Sequence, residues 1–402
     1  MGIGNWLKQY ARDTGNSYKI GFKKLVFAAP FWVLLIAVIL IATGFIRIGI
    51  LKANRVDQRM AEYWQQGGDV DYREMTVYAR GARSGGDTTP MTYINQEVSL
   101  KKSDIILIRT YLQGIVDSGS NNRKENGLDK EGNPVGWEDC YSSTIKATVS
   151  TPSDSERNNI SINADSEIVA VGGNFKVFYP FKYLSGGFLP EVCTDSNQIV
   201  LNDVLAWRFF NSDDVVGNKV EIWGQTFTVV GVVAEPKSRV DSSAETDICR
   251  AYIYFSALER FTASGETSGD GYDTSYEYAI QCYQAMLPEI VKGVAINDFK
   301  SALPNYSETN PQMYVVSNTD RFGILKIWDD MVPLGEKAGI LSNYELPYWE
   351  KAAWLTTQNL FLFMWITVAG FVMLFIGIIM TVMHFKKIDK TELQHLDNIT
   401  EE

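Results

Sequence analysis

The sequence predicts an α+β extracytoplasmic domain of two subdomains, an α/β part and a β-rich part, carried on helical stalks between two transmembrane helices. Three observations predict it. Leu25 to Ile46 and Leu360 to Met383 contain no charged residue, and at a rise of about 1.5 Å per residue each is long enough to cross a bilayer core of about 30 Å as a helix. Lysine and arginine crowd the terminal flanks of both stretches. Between them, Val/Ile/Thr-rich runs alternate with helix-period segments and with Gly-, Asn- and Ser-rich loops, the pattern of a mixed globular body.

A backbone in lipid must satisfy its own hydrogen bonds, so both apolar stretches are read as helices. Lys8, Arg12, Lys19, Lys23 and Lys24 precede the first, against Asp13 alone, and Lys386, Lys387 and Lys390 follow the second. Excess positive charge marks the cytoplasmic end of a span. Both termini are therefore expected in the cytoplasm, with the body outside. Arg47, Lys52 and Arg55 weaken the contrast at the first span. Tyr344, Tyr348, Trp349 and Trp354 supply an outer aromatic belt at the second. A cleaved signal peptide is the competing reading of the first stretch, but its apolar run exceeds the usual ~7–15 residues and no small-x-small site follows.

These readings divide the 402 residues into a basic amphipathic cytoplasmic segment (1–24), a first transmembrane helix (25–46), a stalk helix (47–68), an extracytoplasmic core domain (69–321), a return stalk (322–353), a second transmembrane helix (354–385) and a cytoplasmic tail (386–402). Within the body, Ser103 to Val116 spaces Ile105, Ile108, Leu112 and Ile115 as an amphipathic helix. Ser142 to Ser150 and Ile160 to Val171 read as strands. Gln198 to Leu201 is a short strand leading into a helix over Asn202 to Phe210, with Asn202 as its cap. Val215 to Ile222 and Thr226 to Val233 form a hairpin around Trp223-Gly224-Gln225.

The formal charge of −11 partitions as +4 over residues 1–24, −2 over 386–402 and −13 over the remainder. An acidic body argues against nucleic acid or anionic lipid headgroups as its main partner; it suits solubility, cationic peptides or divalent ions. All four cysteines, Cys140, Cys193, Cys249 and Cys282, fall in the body. An even count on an oxidising side allows up to two disulfides in three connectivities, with buried free thiols as the alternative. Residues 241–285 read as strand, loop, strand, which would let Cys249 and Cys282 face each other across a sheet. No C-x-x-C pair suggests a zinc ribbon or a redox dithiol.

Both histidines, His384 and His395, lie at or beyond the inner end of the second span. The body therefore lacks the imidazole of a Ser-His-Asp or Cys-His arrangement and of a typical zinc site, and its carboxylates fall in no recognisable catalytic motif. The acidic, glycine-rich loops at 117–138 and 265–273 miss the calcium-loop spacing. No catalytic residue, cofactor or metal site is expected, and no enzyme. In the spans, Gly370 and Gly377 lie seven residues apart, nearly on one helix face, where small residues permit close helix packing, onto the chain's other span or onto a partner.

The runs NFKVFYPFKYLSGGFLPE and NQIVLNDVLAWRFFNSDDVVGNKVEIWGQTFTVVGVV resemble the extracytoplasmic core of MacB- and FtsX-type ABC transporter permeases. Gly186, Gly187 and Phe188 match the family's turn, with Gly187 where arginine is usual. Val216, Gly217, Lys219, Gly224, Phe227 and Gly231 match its hairpin. The glycines have physical reasons: Gly217 and Gly224 fall at turns where positive φ is cheap, and Gly231 interrupts a strand where backbone must come close. The resemblance implies a MacB-like core domain over 69–321, two subdomains above stalk helices, moved by a cytoplasmic ABC ATPase. It also implies three spans after the core, whereas this chain shows one; either a complementary permease chain supplies the rest or the core domain is reused as an accessory. No Walker-type phosphate loop is present. The expected function is a non-enzymatic membrane subunit of a bacterial ABC-type export or mechanotransmission complex, its outer domain relaying motion or binding substrate. A free-standing membrane-anchored receptor or scaffold is the alternative.

Overall fold

Short runs rich in Val, Ile, Tyr and Thr build the strands, because branched and aromatic side chains pack well on a pleated surface. In the computed structural model, which describes residues 29–64, 71–79, 100–122, 136–152, 161–244, 248–264, 279–289, 291–308, 313–342, 344 and 346–400, these are β1 (Tyr72–Ala79), β2 (Glu138–Ser150), β3 (Asn163–Gly173), β4 (Lys182–Gly186), β5 (Gln198–Asn202), β6 (Lys219–Ile222), β7 (Gln225–Ala234), β8 (Arg250–Tyr254), β9 (Cys282–Pro288) and β10 (Met313–Ser317). The basic segment 1–24 lies outside the described residues.

All ten strands join one sheet in the order β10-β1-β9-β2-β3-β8-β5-β7-β4, and β6 pairs with both β2 and β7. The pairing therefore closes a circuit β2–β3–β8–β5–β7–β6–β2. The expected α/β and β-rich parts are thus continuous through β2 within one compact unit, residues 54–357.

The sheet buries two apolar cores. The first lies under α3 (Lys102–Asn122), α5 (Asp203–Phe210), α7 (Phe255–Ser264) and α8 (Val294–Ala302), through Ile105, Ile108, Leu112, Leu205, Phe209, Leu258 and Phe299 among others. Asn202 caps α5, its side chain accepting the Leu205 N–H at 3.0 Å. The second core, on the opposite faces of the strands, gathers Tyr78, Val169, Val200, Tyr252, Cys282 and Met286 with the short helix α4 (Phe175–Phe178), Tyr344, Tyr348 and Trp349.

The other compact unit holds the long apolar helices α1 (Ala29–Ala53) and α11 (Tyr348–Thr400), the latter from Gln358 onward. Both are long and apolar enough to cross a membrane. They pack together where small residues remove bulk. A Cβ at Gly370 would meet Ile41 and the Ala37 carbonyl, at 2.8 and 3.2 Å, and one at Gly377 would meet Leu34 at 2.7 Å. Phe45 and Phe371 touch edge to face at 6.4 Å. Ile39, Ile46, Phe375 and Ile379 are exposed, as suits side chains meeting lipid.

The stalks differ from expectation. α1 ends at Ala53, and a single 3₁₀ turn (Val56–Gln58) and α2 (Met60–Tyr63) follow it in place of one continuous stalk helix. The return segment is two short helices, α9 (Ile324–Met331) and α10 (Glu336–Leu341), separated at Pro333, which can neither donate a helical hydrogen bond nor fit inside a helix.

Candidate functional site

The residues that follow α1 and those that open α11 both sit against the second core of the sheet, and buried polar side chains tie them to it. Arg55 pairs with Asp241, both side chains being 2% exposed. Asp241 is held in turn by the capping box of α6 (Arg239–Ser243), accepting the Ser238 N–H at 3.0 Å. Arg321 donates to both carboxylate oxygens of Glu350, at 2.6 and 2.5 Å, and its Nη1 also reaches Gln58 Oε1 at 3.0 Å. Tyr78 on β1 donates to the same Glu350 at 2.8 Å. The Arg321–Glu350 pair thereby joins the segment after α1, the first turn of α11 and β1.

Two further carboxylates complete the set. Glu74 on β1 is fully buried and accepts the Met60 N–H at 3.1 Å and Asn318 Nδ2 at 2.8 Å. Both donors are neutral, so burial pushes its carboxyl from an ordinary 4.5 up to about 7. Glu235, at the end of β7, accepts from Arg250 Nη1 at 2.5 Å and from the Tyr252 hydroxyl at 2.6 Å. Burial raises its carboxyl while Arg250 opposes the rise. The Tyr252 and Tyr348 hydroxyls lie 3.0 Å apart, and the Arg250 guanidinium stands 3.9 Å over the Tyr348 ring. This arrangement carries no nucleophile–base pair. It can hold two helix roots on one sheet, since a buried ion pair is costly to break once formed.

Aromatic rings fill the space around these charges. Phe175 stacks on Tyr179 at 4.4 Å, Tyr179 meets Trp349 at 4.7 Å, and Phe181 meets Tyr252 and Phe188 at 5.2 and 5.3 Å. Beside them opens a cleft of about 320 Å³, bounded by residues 54–57, 179–182, 234–236, Asp241, Tyr348 and Trp349.

The residues singled out in the sequence fall as follows. Phe188 joins the aromatic cluster. Gly186 has φ +63° and lies against the Val230 carbonyl, and a Cβ at Gly231 would stand 2.0 Å from the Gly187 oxygen, so this turn and β7 meet backbone to backbone. Gly217 (φ +88°) starts the hairpin, and Trp223 and Gly224 (φ +50° and +75°) make its two-residue turn. Phe227 is buried in the first core, whereas Val216 and Lys219 are exposed.

The cysteines are four free thiols: Cys140, Cys249 and Cys282 buried, Cys193 exposed. Cys249 belongs to the first core and Cys282 to the second. The sheet separates them, so the expected facing of Cys249 and Cys282 does not occur. Among the described residues no group of three or more His, Cys, Asp and Glu could hold a metal.

Sequence reasoning passed over Arg55, Glu74, Arg250, Arg321 and Glu350. The available signal was charge inside apolar strand runs: Glu74 within YREMTVYA and Arg250 opening RAYIY.

Residues 91–315 match the MacB-like periplasmic core domain. The chain is similar to the crystal structure of the periplasmic region of MacB from Actinobacillus actinomycetemcomitans, at 14% identity, covering 61% of this chain and 88% of that one with a TM-score of 0.35. It is similar also to the extracellular domain of the noncanonic ABC-type transporter YknZ from Gram-positive bacteria, at 12% identity, 60% and 99% coverage and a TM-score of 0.35. No curated protein matches the chain. A MacB-like domain with two candidate spans points to the membrane component of an ABC-type transporter. The matched residues make up more than half of the 402, and the chain belongs to the MacB-like periplasmic core domain family.

Proposed function

We propose that the chain is a non-enzymatic membrane subunit of a bacterial ABC-type export or mechanotransmission complex. A separate cytoplasmic ATPase drives it, a complementary permease chain completes the membrane part, both termini lie in the cytoplasm, and the outer domain relays motion or binds substrate. The observation that carries this reading is the Arg321 junction: Gln58 and Glu350 meet one buried guanidinium, and Tyr78 on β1 donates to the same Glu350. A displacement of either helix root would be felt by the sheet through fixed, desolvated hydrogen bonds rather than through mobile side chains.

Purification of the tagged chain from its native membrane in mild detergent, followed by mass spectrometry, tests the proposal. The expected result is co-purification of an ABC ATPase with ATP turnover by the complex. A solitary chain or homo-oligomer in several detergents would overturn it and favour a membrane-anchored receptor or scaffold.

A further inference from the structure

We propose that the cleft beside Tyr348 and Trp349 binds an organic cation, an amine carried on an apolar body. The cleft's volume of about 320 Å³ lies within the range of small-ligand sites, roughly 300–1,000 Å³. Tyr179, Phe181, Tyr348 and Trp349 give it aromatic walls, and Asp57, Glu235 and Asp241 contribute carboxylates. Aromatic faces with a desolvated carboxylate favour a large, weakly hydrated cation.

The charges inside the cleft are unevenly satisfied. Asp241 has Arg55 and the Ser238 N–H, and Glu235 has Arg250 and Tyr252. Asp57 is left with long contacts, Gln58 Nε2 at 3.4 Å and Arg55 Nε at 3.7 Å, while its side chain is only 13% exposed. Burial accordingly holds the Asp57 carboxyl above its ordinary value. An ammonium entering the cleft would give Asp57 a close ionic partner, where Arg55 Nε stands 3.7 Å away. An anion would have to compete with Asp241 for Arg55, and Lys182 at the rim is exposed and screened by solvent. A hard metal ion needs six or more oxygen ligands, which aromatic walls do not offer.

The inference goes beyond the transporter reading and does not depend on an ATPase, since the assay uses the purified chain alone. Phenethylamine and its neutral counterpart phenethyl alcohol are titrated onto the full chain in lipid nanodiscs at pH 8, with binding read by saturation-transfer NMR against empty nanodiscs. Phenethylamine is expected to bind at least tenfold more tightly than the alcohol. Asp57→Asn should abolish that preference, and Phe181→Leu should weaken both ligands. Equal binding of amine and alcohol to the unaltered chain, binding of neither, or an unchanged preference in Asp57→Asn overturns the proposal.

Discussion

Arg321 and Glu350, on opposite sides of two short helices in the chain, form a two-pronged ion pair at 2.6 and 2.5 Å with their side chains only 4% and 0% exposed. Both ions have left water, so each depends on the other. Arg321→Met strands the Glu350 carboxylate in the core and is expected to cost about 3–5 kcal/mol. Arg321→Met with Glu350→Met should cost less than the sum of the single changes. A double-mutant cycle on denaturant unfolding checks this, and strict additivity would refute the coupling.

Glu74 gives the domain a pH dependence whose sign follows from its environment. Its carboxyl is raised from 4.5 to about 7 in the folded chain, so the folded state holds this proton more tightly than the unfolded state. The resulting stabilisation, about 3 kcal/mol from the size of the shift, is full below pH 4.5 and lost as pH rises through 7. Melting temperature is expected to fall between pH 5 and 8, and Glu74→Gln should flatten part of that fall. Parallel profiles for the two proteins would contradict the assignment.

Gly231 and Gly187 face each other but differ in tolerance. A methyl at Gly231 meets the Gly187 carbonyl oxygen at 2.0 Å, whereas one at Gly187 meets nothing within 4 Å. Gly231→Ala should destabilise by about 1–3 kcal/mol or more, because backbone has to move. Gly187→Ala should stay within about 0.5 kcal/mol. Chemical unfolding of the pair measures the difference, and equal effects would count against the contact.

Thiol exposure separates the cysteines. Cys193 is exposed, and burial raises the thiols of Cys140 and Cys282 well above their ordinary value, which lowers their thiolate fraction. Maleimide labelling of the native chain is expected at Cys193 alone, and at all four after unfolding without reductant. A disulfide-linked peptide in a non-reducing digest would disprove this.

The packing of α1 on α11 can be read by cross-linking. Val33 approaches the Cβ position of Gly377 to 3.4 Å, within the reach of a disulfide. Val33→Cys with Gly377→Cys, in a Cys193→Ser background, should form an intramolecular bond under mild oxidant. Cross-linking between chains instead would show that this face serves a partner.

What the sequence reveals about this protein is local. The apolar spans, the Trp223-Gly224 turn and the Asn202 cap are legible because a run of neighbours determines each. The helix roots are not. Arg55 and Asp241 stand 186 residues apart, and a charge in a sequence carries no mark of its burial, so Arg55 reads only as flanking charge. Good helix formers after Ala53 predict a long stalk, yet Arg55 leaves helical geometry at φ −106°, ψ 52° as it turns toward Asp241, and tertiary contact overrides propensity. The continuous sheet escapes notice for the same reason: β2 serves both halves through pairings with β3, β6 and β9 that no local pattern encodes.

The first and last strands of the body, β1 and β10, are antiparallel neighbours, Met75 opposite Ser317 and Ala79 opposite Met313. The chain therefore enters and leaves the body at the same place. A body built this way closes at its own doorway, so the two segments that leave its first and last strands set out as neighbours.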